Sequence, residues 1–184
     1  MTISPLDPQN RADVETTARL LQSGFRDLSD SWNDLEKAIQ TVEKSFGDDR
    51  LSLIARKSNQ EIVGWIGGIS NGRTLWELHP LVVREDHRRE SIGKSLVKEL
   101  ESQVAKRGGL TIWLGTDDEM GLTSLSGVDL YPNPIEHLQM IRNTGGHPFG
   151  FYLHVGYHLV GVIPDASGYG KPDILMAKRL SQVL

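Results

Sequence analysis

The sequence predicts an α+β domain with a mixed central β-sheet flanked by helices, and three observations lead to it. Strand candidates at 51–55, 61–69 and 75–83 follow one another with short polar or glycine turns between them, the pattern of an antiparallel meander. The third runs straight into a basic turn and a long amphipathic helix ending near Arg107. Two further apolar runs, Leu159–Ile163 and Ile174–Ala177, close the chain after short helical segments. The chain has 184 residues, of which 38% are hydrophobic, and neither a repeat nor a linker divides it. One domain over 1–184 is therefore expected.

The elements follow in order. Asn10 can cap a first helix, with Asp13 three residues on and Val14, Ala18, Leu21 and Phe25 on one face; Gly24 weakens its end. A second helix is expected from Ser31 to Phe46, with Leu35, Ile39 and Val42 as its stripe and Gly47 as its stop. Leu51–Ala55 reads as a strand, Ser58-Asn59-Gln60 as a turn, and Glu61–Ile69 as a second strand. Glycines at 64, 67 and 68 in that second strand indicate tight packing or a bulge. Asn71-Gly72 then turns the chain into the central strand, Leu75–Val83. The helix after the basic turn carries Ile92, Leu96, Leu100 and Val104 at a step of four and stops at Gly108-Gly109. Leu110–Leu114 reads as a buried strand, and 115–133 as a long polar connection of the kind that more often carries function than not. Pro134–Ile141 and His147–Tyr157 read as short helices, the second broken by Gly156.

Composition narrows the function. The formal charge of -4 and a pI near 5.9 argue against nucleic acid as a partner and suit a cationic small substrate. Without cysteine there is no disulfide framework, no thiolate metal site and no cysteine nucleophile. The six histidines show no ligand spacing, so no metal is expected. No apolar run approaches the roughly 20 residues of a membrane span, and the N-terminus lacks a signal-peptide pattern, so the expected location is the cytoplasm and no membrane partner is expected. A nucleotide-binding P-loop is excluded, because no Gly-x-x-x-x-Gly-Lys-Ser/Thr occurs.

A strand that delivers a basic, small-residue turn to a helix N-terminus can hold a phosphate, since the first backbone N–H groups have no intrahelical acceptor and the helix dipole favours negative charge. Here that turn is Arg88-Arg89-Glu90-Ser91-Ile92-Gly93. It is a partial Arg/Gln-x-x-Gly-x-Gly/Ala motif, with Ser91 at the first glycine, and by itself it is also compatible with a solvated helix cap. Further along, Phe151-Tyr152 with Gly156-Tyr157 matches Phe-Tyr-x-x-x-Gly-Phe/Tyr. In that order and at that separation, the two motifs resemble the GCN5-related N-acetyltransferases (GNAT). Blocks at 76–83, 114–118, 129–131, 147–149 and 171–174 resemble more specifically the aminoglycoside 6'-N-acetyltransferases.

The resemblance implies the GNAT fold, with acetyl-CoA as co-substrate bound at a splayed central strand and the following helix N-terminus. The implied activity is acetylation of the 6'-amine of aminoglycoside antibiotics, hence antibiotic resistance, by a homodimer. Glu77 is the first candidate for general base, directly or through water, and for binding a cationic amine; a strand-end carboxylate paired to a lysine or arginine is the alternative. His79 lies two residues on, on the same side if the pleat is regular, and either serves as base or holds local geometry before Pro80. Backbone groups near Leu81 are implied to polarise the thioester carbonyl, and Val82 and Val83 to pair with the pantetheine amides. Arg88, Arg89, Ile92, Gly93, Lys94 and Ser95 are implied to surround the pyrophosphate, and Asn143 to touch coenzyme A. Tyr152 is implied to protonate or hydrogen-bond the leaving thiolate. Trp32 is a candidate wall for a sugar ring, and Asp117 and Asp118 are candidate carboxylates for a polycationic substrate. With no cysteine, direct transfer in a ternary complex is expected. Other amines (a polyamine, an amino sugar or a protein amine) and a non-catalytic acyl-CoA-binding module are the remaining alternatives.

Overall fold

A computed structural model of the chain describes residues 1–26 and 32–180. These hold seven strands and five α-helices, in two compact units: 1–110 with Leu180, and Thr111–Arg179. The α+β class expected from the sequence is the class observed.

In the first unit, β1 (Thr2–Pro5), β2 (Arg50–Arg56), β3 (Ile62–Ser70) and β4 (Leu75–Val83) pair in sequence order, all antiparallel. β1 has no hydrophobic alternation to announce it; it forms because its backbone finds the free edge of β2, Thr2 opposite Arg56 and Pro5 opposite Leu53. Helix α1 (Arg11–Gly24) starts where Asn10 accepts the Asp13 N–H at 3.2 Å. Helix α2 (Leu35–Glu43) starts at the first residue of its apolar stripe, because Asp34 takes the cap and accepts the Glu36 N–H at 2.8 Å. The expected start at Ser31 lies outside the described residues. Val14, Ala18 and Leu21 of α1 and Ala38 and Val42 of α2 share one core with Ile54, Trp65 and Val82 of the sheet.

Helix α3 (Ile92–Lys106) lies on β3 because two glycines leave it room. A Cβ at Gly64 would stand 2.9 Å from Leu96 Cδ1, and one at Gly68 would stand 2.8 Å from Leu100 Cδ1. The third glycine of the strand does something else. Ile66 pairs with Leu81 but Gly68 pairs with Leu78, so Gly67 alone opposes both His79 and Pro80. This is a two-against-one β-bulge, and a Cβ at Gly67 would lie 2.3 Å from the His79 carbonyl oxygen. The bulge exchanges the faces of β4. Ahead of it Trp76 lies near Gly68, on the α3 side; beyond it Val82 lies against Gly24 of α1. Glu77 precedes the bulge, opposite Ile69, while His79 is one of its two residues, so the pleat between them is not regular throughout.

In the second unit, β5 (Thr111–Asp117) pairs antiparallel with β7 (Asp173–Arg179), which pairs antiparallel with β6 (His158–Ile163). Helices α4 (Pro134–Gln139) and α5 (Phe149–His154) are short, as expected. The polar stretch after β5 is organised by one buried side chain, Asp118, and by a close backbone approach in which Gly127 N–H donates to the Gly170 carbonyl at 2.8 Å.

Candidate functional site

On β4 the Glu77 carboxylate is half-buried, makes no ion pair among the described residues, and has Asn71 Nδ2 at 3.4 Å. The alternative of a carboxylate tied to a lysine or arginine is therefore not what the structure contains. His79 is exposed, and its ring lies 6.0 Å from that of Trp32, tilted by 45°. Trp32 is itself held: its Nε1 donates to Thr41 Oγ1 at 3.1 Å, and Phe25 packs edge-on at 4.7 Å. Two residues read separately from the sequence, one on a helix approach and one on the central strand, thus come together. Beside them a cavity of about 250 Å³ is lined by Thr41, Lys44, Arg50, Trp65, Ile69, His79 and Pro80. Lys44 and Arg50 carried no signal in the sequence, because a helix-surface lysine and a strand-start arginine are ordinary solvent-facing residues.

The basic turn sorts its cations in a way that spacing alone could not show. Arg84 is committed to Glu61, to Asp86 at 2.7 Å and to His87 at 2.6 Å. Lys57 pairs with Glu90 at 2.6 Å, and His87 lies 2.9 Å from the same carboxyl group. Their hydrogen bonds hold the Glu90 acid down to about 2, so it stays ionised. Arg88, Arg89 and Lys94 are exposed and make no ion pair among the described residues. Arg89 and Ser91 adopt left-handed backbone, φ 68° and 61°. Ser91 thus occupies the conformation for which a glycine is ordinarily used. The first intrahelical bond runs from Ser95 N–H to Ser91 O at 3.0 Å, which leaves the N–H groups of Ile92, Gly93 and Lys94 without intrahelical acceptors. Ile92 is 2% exposed and can offer only its backbone, and Ser95 Oγ already donates to Ser91 O at 3.0 Å. Free donors and uncommitted cations at the start of a 15-residue helix fit a pyrophosphate.

In the second unit Tyr152 is 8% exposed on α5, in edge-to-face contact with Phe151 and Tyr157. Burial pushes its phenol above the ordinary tyrosine range, so it remains a proton donor throughout neutral pH. Asp117 ends β5 exposed, with Oδ1 accepting from Ser167 Oγ at 2.9 Å. One expectation needs correction here. Asp118 is fully buried and accepts from Leu122 N–H, Thr123 N–H and Thr123 Oγ1 at 2.7–2.9 Å, so its carboxylate holds the loop and has no face for a substrate. Asn143 is exposed, and its side chain braces the following turn: Oδ1 accepts from Gly146 and His147 N–H, and Nδ2 donates to His147 O at 2.8 Å. His147, which entered from the sequence only as part of the 147–149 block and without a role, lies 2% exposed between β5 and α5. Its type and its place before Pro148 were visible, but nothing in the sequence revealed its burial.

Comparison with known proteins places this arrangement. Residues 16–125 match the acetyltransferase (GNAT) family. The chain is 40% identical to an aminoglycoside 6'-N-acetyltransferase solved in complex with coenzyme A, over 100% of this chain and 99% of that one, with a TM-score of 0.89. The same values hold for the aminoglycoside 6'-N-acetyltransferase from Enterococcus faecium. An uncharacterised N-acetyltransferase of Bacillus methanolicus is 34% identical over 67 residues, 36% of this chain and 56% of that protein. The folded chain, its free donors at the α3 N-terminus and these likenesses together show that it belongs to the acetyltransferase (GNAT) family and is an acetyl-CoA-dependent acetyltransferase.

Proposed function

We propose that residues 1–184 act as one catalytic domain that transfers the acetyl group of acetyl-CoA directly to the 6'-amine of aminoglycosides. The observation that carries this reading is the full-length likeness, at 40% identity, to aminoglycoside 6'-N-acetyltransferases. Bound acetyl-CoA supplies the thioester. The N–H groups of Ile92, Gly93 and Lys94, with Arg88 and Arg89, hold its pyrophosphate; Val82 and Val83 offer backbone groups to the pantetheine.

An alkylamine has a pKa near 10.4 and reaches the site protonated. Glu77, unpaired on β4, removes that proton directly or through a water, with His79 as the nearby alternative base. The freed nitrogen forms the C–N bond at the thioester carbonyl. The Leu81 backbone N–H stabilises the negative oxygen that develops, a fixed donor needing no reorganisation. Collapse breaks the C–S bond and leaves a thiolate. A thiol near 8.5 is a stronger acid than a phenol raised by burial, so Tyr152 stabilises the thiolate chiefly by donating a hydrogen bond. The thiolate's final proton comes from the solvent pool that receives the amine's. Trp32 and His79 wall the acceptor ring, and Asp117 meets one of its ammonium groups.

Release of thiol from acetyl-CoA against kanamycin-type aminoglycosides, spermidine and a lysine peptide tests the reading. Turnover confined to drugs with a free 6'-amine is expected; turnover of spermidine or peptide alone would discard the substrate. Glu77→Gln should lower kcat/KM about 100-fold and change its pH profile. An unaltered profile would transfer base duty to His79. A second reading, acetylation of an amine that also carries an anionic group, is favoured by Lys44 and Arg50 lining the cavity beside His79, which a polycation would avoid. The enzyme is further proposed to work as a homodimer in the cytoplasm. No helix among the described residues is long and apolar enough to cross a membrane.

A further inference from the structure

His147 uses both ring nitrogens. Phe149 N–H lies 3.2 Å from Nδ1, and a backbone N–H can only donate, so Nδ1 is the unprotonated nitrogen. Nε2 then carries the hydrogen and donates to the Asp117 carbonyl at 3.1 Å. One neutral tautomer satisfies both bonds. The side chain is 2% exposed, and the turn that carries it is clamped by Asn143, which accepts from His147 N–H at 2.9 Å and donates to His147 O at 2.8 Å. What the ring holds is specific. Helix α5 has no side-chain cap at Pro148, so Nδ1 takes the orphan N–H at its first position, and the first helical bond of the next turn is Tyr152 N–H to Pro148 O at 3.2 Å. Nε2 grips the last residue of β5, whose carboxylate is separately tied to Ser167.

We propose that His147 is a positioning residue that sets two functional side chains at once: Asp117 through its carbonyl and Tyr152 through the first turn of α5. The proposal rests on the acceptor-binding role of Asp117 and the thiolate-side role of Tyr152 stated above. A histidine that merely filled space would show no preference between the two. This one separates them by nitrogen, which makes the two roles independently removable.

Asparagine places an oxygen near the Nδ1 position and lacks the reach to Asp117; glutamine reaches as Nε2 does and leaves Phe149 N–H bare. In steady-state thiol release with acetyl-CoA and a kanamycin-type acceptor, His147→Asn should raise the acceptor KM about tenfold with kcat held within about twofold, the scale of one lost hydrogen bond. His147→Gln should do the reverse, lowering kcat about tenfold with the acceptor KM little moved. Equal movement of both constants in both variants, or none in either, overturns the proposal. Should either variant fail to fold, nitrogen-15 NMR of the intact enzyme decides: an unprotonated Nδ1 and a protonated Nε2 at neutral pH are expected, and a protonated Nδ1 overturns it. Asp117→Asn and Tyr152→Phe separate this proposal from the reading beneath it. If Asp117→Asn raises acceptor KM and Tyr152→Phe lowers kcat while the His147 variants are silent, only the His147 proposal falls. If those two are themselves silent, the assigned roles fall and take it with them.

Discussion

Ser91 occupies a left-handed conformation, φ 61° and ψ 14°, at the residue from which α3 departs. For a residue with a Cβ that conformation costs roughly 1 kcal/mol, and for a β-branched one considerably more. Ser91→Gly should therefore leave folding and acetyl-CoA affinity intact, whereas Ser91→Val should lower stability by about 1 kcal/mol and weaken acetyl-CoA binding by turning the Ile92, Gly93 and Lys94 N–H groups away. Thermal melts and calorimetric titration with acetyl-CoA check both, and equal affinity in the valine variant would show that the turn does not hold the pyrophosphate. At this scale the sequence was legible where chemistry follows residue type. Glu77, His79, Tyr152 and the basic turn could be picked out by type and spacing alone. It was not legible where burial decides. Asp117 and Asp118 are adjacent and chemically identical, yet one ends a strand in solvent and the other is enclosed by three donors. Nor could spacing reveal that Arg84 is neutralised while Arg88 and Arg89 make no ion pair among the described residues.

At the scale of elements, the bulge between β3 and β4 does the most to shape the first unit. Three glycines in one strand were visible as a sign of tight packing or a bulge, and both occur: Gly64 and Gly68 admit α3, while Gly67 admits the doubled backbone of His79-Pro80. Which glycine did which depended on register, which a single strand does not encode. Gly67→Ala drives its methyl into the His79 carbonyl, a backbone group that cannot swing aside. We expect a loss of about 1–3 kcal/mol in stability and a fall in kcat larger than the change in acetyl-CoA affinity, because β4 is displaced at Leu81 while the α3 N-terminus is not. A variant with unchanged kcat would dissociate the bulge from the chemistry. Helix α5 yields a second expectation. Burial holds the His147 ring below its ordinary 6.5, against the opposing pull of the Asp117 carbonyl and the Asp117 and Asp118 charges. The unfolded chain therefore binds a proton that the folded chain refuses. Its contribution to stability is complete above about pH 6.5 and declines as pH falls below it. Tm measured from pH 7.5 to 5.5 should drop more in the wild type than in His147→Asn; parallel curves would contradict this.

For the whole molecule, the distribution of apolar surface is uneven, and the unevenness bears on assembly. Among the described residues of the second unit, Ile135 is 53% exposed, Met140 67%, Val160 59% and Ile163 48%, whereas in the first unit the exposed large apolar residues are Met1 and Leu75. Val160 and Ile163 lie on β6, which within that unit pairs on one side only, and α4 packs beside it. A strand edge with unpaired N–H and C=O groups beside exposed apolar side chains tends to aggregate unless it is covered, and lysines or prolines that would guard the edge are absent from 158–163. A second copy of the chain could cover it by a symmetric contact in which each copy offers the same patch. A stable contact of that kind buries on the order of 800 Å² per partner. Sedimentation equilibrium is therefore expected to give twice the 20.5 kDa chain mass. The double substitution Val160→Lys/Ile163→Lys should return the chain to monomer while leaving its circular dichroism unchanged, since both side chains already face outward. A wild-type monomer would remove the homodimer, and a variant that stays dimeric would move the interface elsewhere on the surface.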